Sequence, residues 1–279
     1  MLSRHFCIGA VVCCNLAIWR CLHAWCSTQL LLPRSNGYEV LDVASASWKR
    51  FKNERMARRV CHALAESIEV DEPEMYKELR RYTQDLFPGG VHMLPSNARG
   101  RLLKRLVTTD CAMKVLEVGT FTGYSALCFA EAGAKVMTLE RCPIQAEAAR
   151  EFLENSGAKH RIRVLQGLAQ ELLPRLGSQF EVIHLDGSMK SYQQFLDLAL
   201  DASLLAQNGL VLADNVLFRG LVAKVPQRNC TEFGQSSTRL RGIAEKLHRF
   251  NLHFLQEDPR TEGLILNQDD GLAIIWRRS

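Results

Sequence analysis

The sequence lacks any C-x-x-C pair, although it carries ten cysteines. Five fall before residue 27 (Cys7, Cys13, Cys14, Cys21 and Cys26), and Cys61, Cys111, Cys128, Cys142 and Cys230 are scattered. That spacing excludes a zinc site or a disulfide framework read from cysteine pattern. There is no internal repeat and no low-complexity tract. There is no G-x-G-x-x-G, the glycine fingerprint of a dinucleotide site. A large excess of charge of one sign is also missing. Arg4, Arg20 and Arg34 are the only Lys or Arg before Glu39, and without them 32 basic residues face 30 acidic ones. A body so close to neutral argues against a large nucleic-acid footprint.

Residues 1–38 differ from the rest. Phe6 to Trp19 is an apolar run broken only by Asn15, after a short basic start at Arg4. It is short of the ~20 residues a membrane helix needs and suits the core of a signal peptide. The absence of acids also suits an organelle transit peptide, plastid or mitochondrial. The expectation is a targeting segment or signal anchor over 1–38, with any membrane contact confined to it. Residues 39–279 then form one domain with N-terminal helices.

The chain turns on Val115 to Ser125, Val-Leu-Glu-Val-Gly-Thr-Phe-Thr-Gly-Tyr-Ser. Val115, Leu116 and Val118 read as a buried strand, Gly119 and Gly123 as a tight turn, and Ser125 to Ala132 as a helix stopped by Gly133. A second strand, Lys135 to Leu139, ends on Glu140, placed to accept bonds from ribose hydroxyls. Glu117 heads the glycine loop, where a carboxylate repels a pyrophosphate and suits a ligand carrying an ammonium. S-adenosylmethionine is such a ligand.

Strand and helix alternate onward. Pro143 to Asn155 reads as helix, Arg161 to Leu165 as strand and Phe180 to Leu185 as strand. Tyr192 to Leu205 then reads as helix and Gly209 to Ala213 as strand. Leu240 to Phe250 reads as helix, with closing strands at Leu252 to Gln256 and Leu272 to Trp276. Such alternation predicts an α/β fold, a mainly parallel sheet with helices on both faces and an antiparallel C-terminal edge. Glu117, Glu140, Gly167, Asp186 and Asp214 all fall at or beside carboxyl ends of strands, where ligands collect in these sheets.

These stretches resemble the class I S-adenosylmethionine-dependent methyltransferases. More narrowly they resemble the cation-dependent O-methyltransferases of the catechol and caffeoyl-CoA type, over about Met93 to Arg277. The resemblance rests on the Glu117 to Ser125 run, on Asp214-Asn215 before Leu217-Phe218-Arg219-Gly220, and on Phe250-Asn251, Asp258-Pro259-Arg260 and Asp270-Gly271-Leu272. It implies a Rossmann-like, doubly wound sheet of seven strands. It implies that Glu117, Gly119, Phe121, Gly123 and Ser125 hold the methionine end of the cofactor. Glu140 would take the ribose, Ala169 and Gln170 the adenine, with Asp186 also bordering the cofactor. Asp186, Asp214 and Asn215 would coordinate a divalent cation.

Two carboxylates and an amide are hard oxygen donors, suited to Mg²⁺ or a similar ion. Adjacent hydroxyls on a small aromatic substrate would complete the shell, and a dication lowers the pKa of a bound hydroxyl. The family places a lysine three residues after the first metal aspartate. Here that position is Met189, and Lys190 follows; Lys190 with Asp186 is the expected catalytic pair. His184, inside a strand, is expected to be a satisfied core histidine, and Tyr192 to pack. The reading is a cation-dependent O-methyltransferase of catechol-like or phenylpropanoid-type molecules, without a nucleic-acid partner. Relatives often form homodimers. The rival readings are a transfer-RNA hydroxyuridine O-methyltransferase, a nicotinamide oxidoreductase and a non-catalytic S-adenosylmethionine-binding protein.

Overall fold

The computed structural model describes residues 29–34, 37–42, 71–108, 113–225 and 238–278, the first two ranges as backbone only. Most of the expected targeting segment, and the helical stretch expected before residue 71, lie outside them. Among the described residues no helix is long and apolar enough to cross a membrane.

Among the described residues nine strands form one sheet: β1 Gln29–Arg34, β2 Gly37–Asp42, β3 Lys114–Val118, β4 Lys135–Glu140, β5 Ile162–Gln166, β6 Phe180–Leu185, β7 Leu205–Asp214, β8 Thr261–Asn267 and β9 Leu272–Arg277. Their order is β2-β1-β8-β9-β7-β6-β3-β4-β5. From β5 to β7 the neighbours run parallel; β7 to β2 are antiparallel. Six of the seven expected strands lie where they were read, the remaining one lies further along the chain, and the class is as read. Two details differ. β9 inserts between β7 and β8, and the sheet continues past β8 because Gln29 to Leu31 pair with Ile265 to Asn267.

The helices are α1 Glu74–Leu86, α2 Asn97–Val107, α3 Tyr124–Glu131, α4 Pro143–Glu154, α5 Ala169–Leu172, α6 Tyr192–Asp201 and α7 Thr238–Leu252. Alternation along the strands decides which helices cover which face. Val115, Val182, Leu210 and Leu212 pack with Leu103, Leu106, Leu127 and Phe129 of α2 and α3. Leu116, Ile183, Leu185 and Val211 point the other way, onto Phe195, Leu196, Leu247 and Phe250 of α6 and α7.

Two boundaries correct the sequence reading. The strand expected at Leu252 to Gln256 is instead helical, the π turn His253–Glu257 extending α7. Asp258 N–H reaches back to the His253 carbonyl at 2.9 Å. Phe250 and Phe254 are both buried at helical spacing, and over so short a window that spacing competes with alternation. The strand instead begins at Thr261. α6 also ends at Asp201, four residues early, because Ser203 takes a left-handed conformation, φ +53°, and β7 starts at once at Leu205.

The tightest approach in the fold is at Gly119. Its φ is +100°, and a Cβ there would collide with the Asp186 carbonyl oxygen. The ends of β3 and β6 therefore touch backbone to backbone, with Asp186 N–H on the Val118 carbonyl at 2.9 Å. Gly119→Ala should cost ~2 kcal/mol or more through strain and collision. The check is a thermal melt, and a melting temperature within about 1 °C of wild type would show that the turn tolerates a side chain.

Candidate active site

The strand ends bring the expected acids to one end of the sheet, but their partners sort them into distinct tasks. Glu140, at the end of β4, binds backbone on both sides of itself. Oε2 accepts from Thr120 N–H at 3.1 Å and Phe121 N–H at 3.0 Å, and Oε1 accepts from Cys142 N–H at 2.9 Å. This clamps the 119–123 loop, which the positive φ of Gly119, Phe121 and Gly123 allows to fold back on itself. Gly167 N–H adds a bond to the Glu140 carbonyl at 2.9 Å, so Ala169 and Gln170, at the start of α5, stand next to the same strand end. Ser125 is buried in the first turn of α3.

Glu117 lies deeper. It is fully buried, and its carboxylate is shared between two neighbouring strands. Oε2 accepts from Thr138 Oγ1 at 2.6 Å, and Oε1 lies 3.1 Å from His184 Nδ1. Thr120 Oγ1 lies 2.6 Å from Thr138 Oγ1, so a polar chain runs from the glycine loop to the middle of the sheet. His184 is therefore not the satisfied core histidine expected: Nδ1 has a partner, while Nε2 is buried with no hydrogen-bond partner among the described residues. Burial opposes its charge, but the bond to Glu117 and that carboxylate's charge outweigh this and raise its pKa.

The expected metal residues converge. Asn215 Nδ2 reaches Asp186 Oδ1 at 3.4 Å, and Asn215 N–H donates to Asp214 Oδ1 at 2.8 Å. Asn215 has φ +61°, a left-handed turn that asparagine tolerates. Residues of the C-terminal signature hold that turn in place. Asp270 accepts Leu217 N–H on its carbonyl at 2.8 Å and Arg219 N–H on its carboxylate at 3.1 Å. Asn251 Nδ2 donates to the Val216 carbonyl at 3.0 Å.

Among the described residues, three buried polar atoms around this pair find no hydrogen-bond partner: Arg99 Nη1, His184 Nε2 and Tyr192 Oη. Orphaned buried groups are costly and mark a site built for a polar occupant. A cation also suits the charge: once it holds both aspartates ionised and His184 neutral, Glu117, Asp186 and Asp214 outnumber the guanidinium of Arg99, which lies 3.5 Å from Asp214. Burial first, and then the charge of Asp214, push the Asp186 carboxyl up to about 8. Tyr192 packs edge-on against Phe250, ring centres 5.7 Å apart.

Lys190 is not brought to the site. It is exposed and borders a surface cleft with Gln193, Asp197, Asp201 and Lys246, because the short helical turn at Met189–Ser191 tucks Met189 against the core and leaves its neighbour outside. A second acidic group, Asp197, His253 and Asp258, is neutralised within the chain. The Arg260 guanidinium sits 2.9 Å from Asp197 and 2.7 Å from Asp258. The sequence reading missed Arg99, which is 1% exposed and donates from Nη2 to the Gln268 carbonyl at 2.6 Å. Its spacing from Leu102, Leu103 and Leu106 puts it on the apolar face of α2, a signal that was available.

Comparison with known proteins identifies the family. The profile of the O-methyltransferase family matches residues 66–278. The O-methyltransferase ankF of Aspergillus thermomutatus is 27% identical over 212 residues, 74% of this chain and 88% of its own length. A catechol O-methyltransferase of Niastella koreensis is 30% identical over 141 residues, 48% of this chain and 62% of its own. The SAH-bound methyltransferase of Podospora anserina matches in structure with a TM-score of 0.67 at 28% identity, covering 82% of this chain and 97% of that one.

Asp186 carries a pH signature. Its folded pKa is raised above the unfolded value of 3.8, so between the two the folded state holds a proton that the unfolded state has lost. Stability of the ion-free protein should fall as pH rises from about 4 to about 8. Asp186→Asn should remove that slope and, at pH 8, raise stability by ~1 kcal/mol, about 2–4 °C in Tm. Equal melting curves for the two proteins across this range would show that Asp186 is not charged at the expense of the fold.

Proposed function

Because the chain belongs to the O-methyltransferase family, we propose that it transfers the methyl group of S-adenosylmethionine to a hydroxyl of a small aromatic molecule with adjacent hydroxyls, using a divalent cation. The observation that carries the cation is the meeting of Asp186, Asp214 and Asn215 at two neighbouring strand ends, with orphaned polar atoms around them. Oxygen donors in this number leave room for two substrate oxygens.

When bound, such an ion lowers the pKa of a substrate hydroxyl and favours its phenolate. Asp186, Asp214 and Asn215 would orient the substrate through it. The 119–123 loop supplies backbone at Gly119, Phe121 and Gly123 for the methionine end of the cofactor, with Ser125 beneath. Glu117 adds a negative charge under that loop; Thr138 and His184 take two of the roughly four acceptor positions of its carboxylate. Glu140 would accept the ribose hydroxyls while keeping the loop clamped, and Ala169 and Gln170 would flank the adenine. Asp186 lies between the two halves of the site. Positioning and charge, not a protein base, then do most of the catalysis, since Lys190 points elsewhere.

Labelled S-adenosylmethionine, a panel of catechols, Mg²⁺ and then EDTA make the direct test. Transfer that stops on chelation and returns with the ion supports the reading, and transfer indifferent to EDTA would remove the cation. Asp214→Ala should abolish transfer and leave cofactor affinity within about threefold. Lys190→Ala should leave kcat within about twofold, whereas a large loss at neutral pH would restore a lysine base. Glu140→Ala should weaken S-adenosylhomocysteine binding about 10- to 100-fold, the worth of charge-assisted hydrogen bonds of ~1.5–3 kcal/mol. Unchanged affinity by calorimetry would sink the ribose assignment.

A further inference from the structure

His184 has no part in the oxygen-donor set just described, yet its surroundings are those of a ligand. It lies on β6 two residues before Asp186, so the two side chains share a face of the sheet. An imidazole nitrogen of His184 and carboxylate oxygens of Asp186 and Asp214 lie within 4.8 Å of one another. Ligands of one ion with bonds near ~2.1 Å stand about 3.0–3.4 Å apart at adjacent positions and up to about 4.2 Å apart across the ion, so the three side chains close on an ion by moving inward. The side chain is fully buried, and its Nε2 finds no hydrogen-bond partner among the described residues.

The other ring nitrogen explains why Nε2 is free. Nδ1 faces the Glu117 carboxylate at 3.1 Å, and Glu117 is itself held by Thr138 Oγ1 at 2.6 Å. The ring edge of Phe129 packs on the imidazole, centres 5.3 Å apart. Metal-ligating histidines are held in this way: one nitrogen donates to a carboxylate, which fixes the ring and leaves the lone pair of the other for the ion. A histidine serving only the core would have no need of a buried carboxylate on one side and an orphaned nitrogen on the other.

We infer that His184, through Nε2, is a fourth protein ligand of the cation held by Asp186, Asp214 and Asn215, and that the site takes a first-row transition ion in preference to Mg²⁺. The inference rests on the cation site proposed above. Its chemical basis is that imidazole is a borderline donor, matched to ions from Fe²⁺ to Zn²⁺, whereas Mg²⁺ favours oxygen alone. Glu117 thereby becomes a positioning residue for the ion.

The test reads binding, not turnover. Full-length protein is stripped of metal and titrated with Zn²⁺ and with Mg²⁺, and the Mn²⁺-loaded form is examined by pulsed electron paramagnetic resonance for ¹⁴N coupling. Wild type should favour Zn²⁺ over Mg²⁺ by at least about 100-fold. His184→Gln, which keeps an amide for Glu117, should lose at least about tenfold of that preference and hold its Mg²⁺ affinity within about threefold. The wild-type Mn²⁺ spectrum should show nitrogen coupling that changes on ¹⁵N-histidine labelling, a readout that needs no variant to fold. An ion that binds, is lost in Asp214→Ala, and shows no nitrogen coupling would overturn the role of His184 and leave the oxygen site standing. Absence of any ion binding to wild type would overturn both.

Discussion

The buried carboxylate of Glu117 is the constraint on which this site depends. A charge removed from water in the middle of a sheet is tolerated only when its lone pairs are met. Thr138 meets one from β4 and His184 another from β6. The pairing register Glu117↔His184 and Glu117↔Thr138 therefore has an electrostatic reason as well as a hydrophobic one. A one-residue slip would put the acid among the leucines of the opposite face. Everything above it inherits that register: the glycine turn, its contact with the Asp186 backbone, and the level at which β6 delivers Asp186 beside Asp214.

Around this fixed point the site divides into a rigid half and an assembled half. The rigid half is the clamp of Glu140 on Thr120, Phe121 and Cys142, made within adjacent strands and their loops. The assembled half is the Asp214-Asn215 turn, whose left-handed residues are held by Asp270, Gly271 and Asn251 from a distant part of the chain. The C-terminal signature acts here as scaffold: Arg260 binds Asp258, Asp197 and Asp201 and ties the segment before β8 to α6.

What was legible in the sequence was what local pattern carries. Strands β3 to β7 announced themselves by apolar runs ending in acids, and the glycine loop by its spacing, so the fold and the residues at its carboxyl edge could be read directly. Less legible were features decided between segments. Residues 253–257 satisfy helix and strand patterns about equally, and only the burial of Phe254 under β8 decides. The extension of the sheet by β1 depends on backbone bonds that leave no side-chain trace. His184 looked like a core residue because nothing local shows that Glu117 lies beside it. Lys190 is expected in the site because it stands one residue after the position of the family's lysine, but one residue of offset on a 3-10 turn rotates a side chain by about 120°.

The insertion of β9 between β7 and β8 bears on how the protein is made. Asp214 leaves the ribosome well before Asp270 and Gly271, which shape its turn, and before Leu272, its partner across β9. A nascent chain can stack its parallel strands in order of synthesis, but β7 then waits with an open edge until residue 277 has been added. The glycine loop can form early, while the acidic turn is the last part to settle. During translation the polypeptide would pass through a stage with a formed glycine loop, an unfinished acidic turn and an apolar strand edge exposed at β7, the point at which a chaperone or a misfolding partner has its opening.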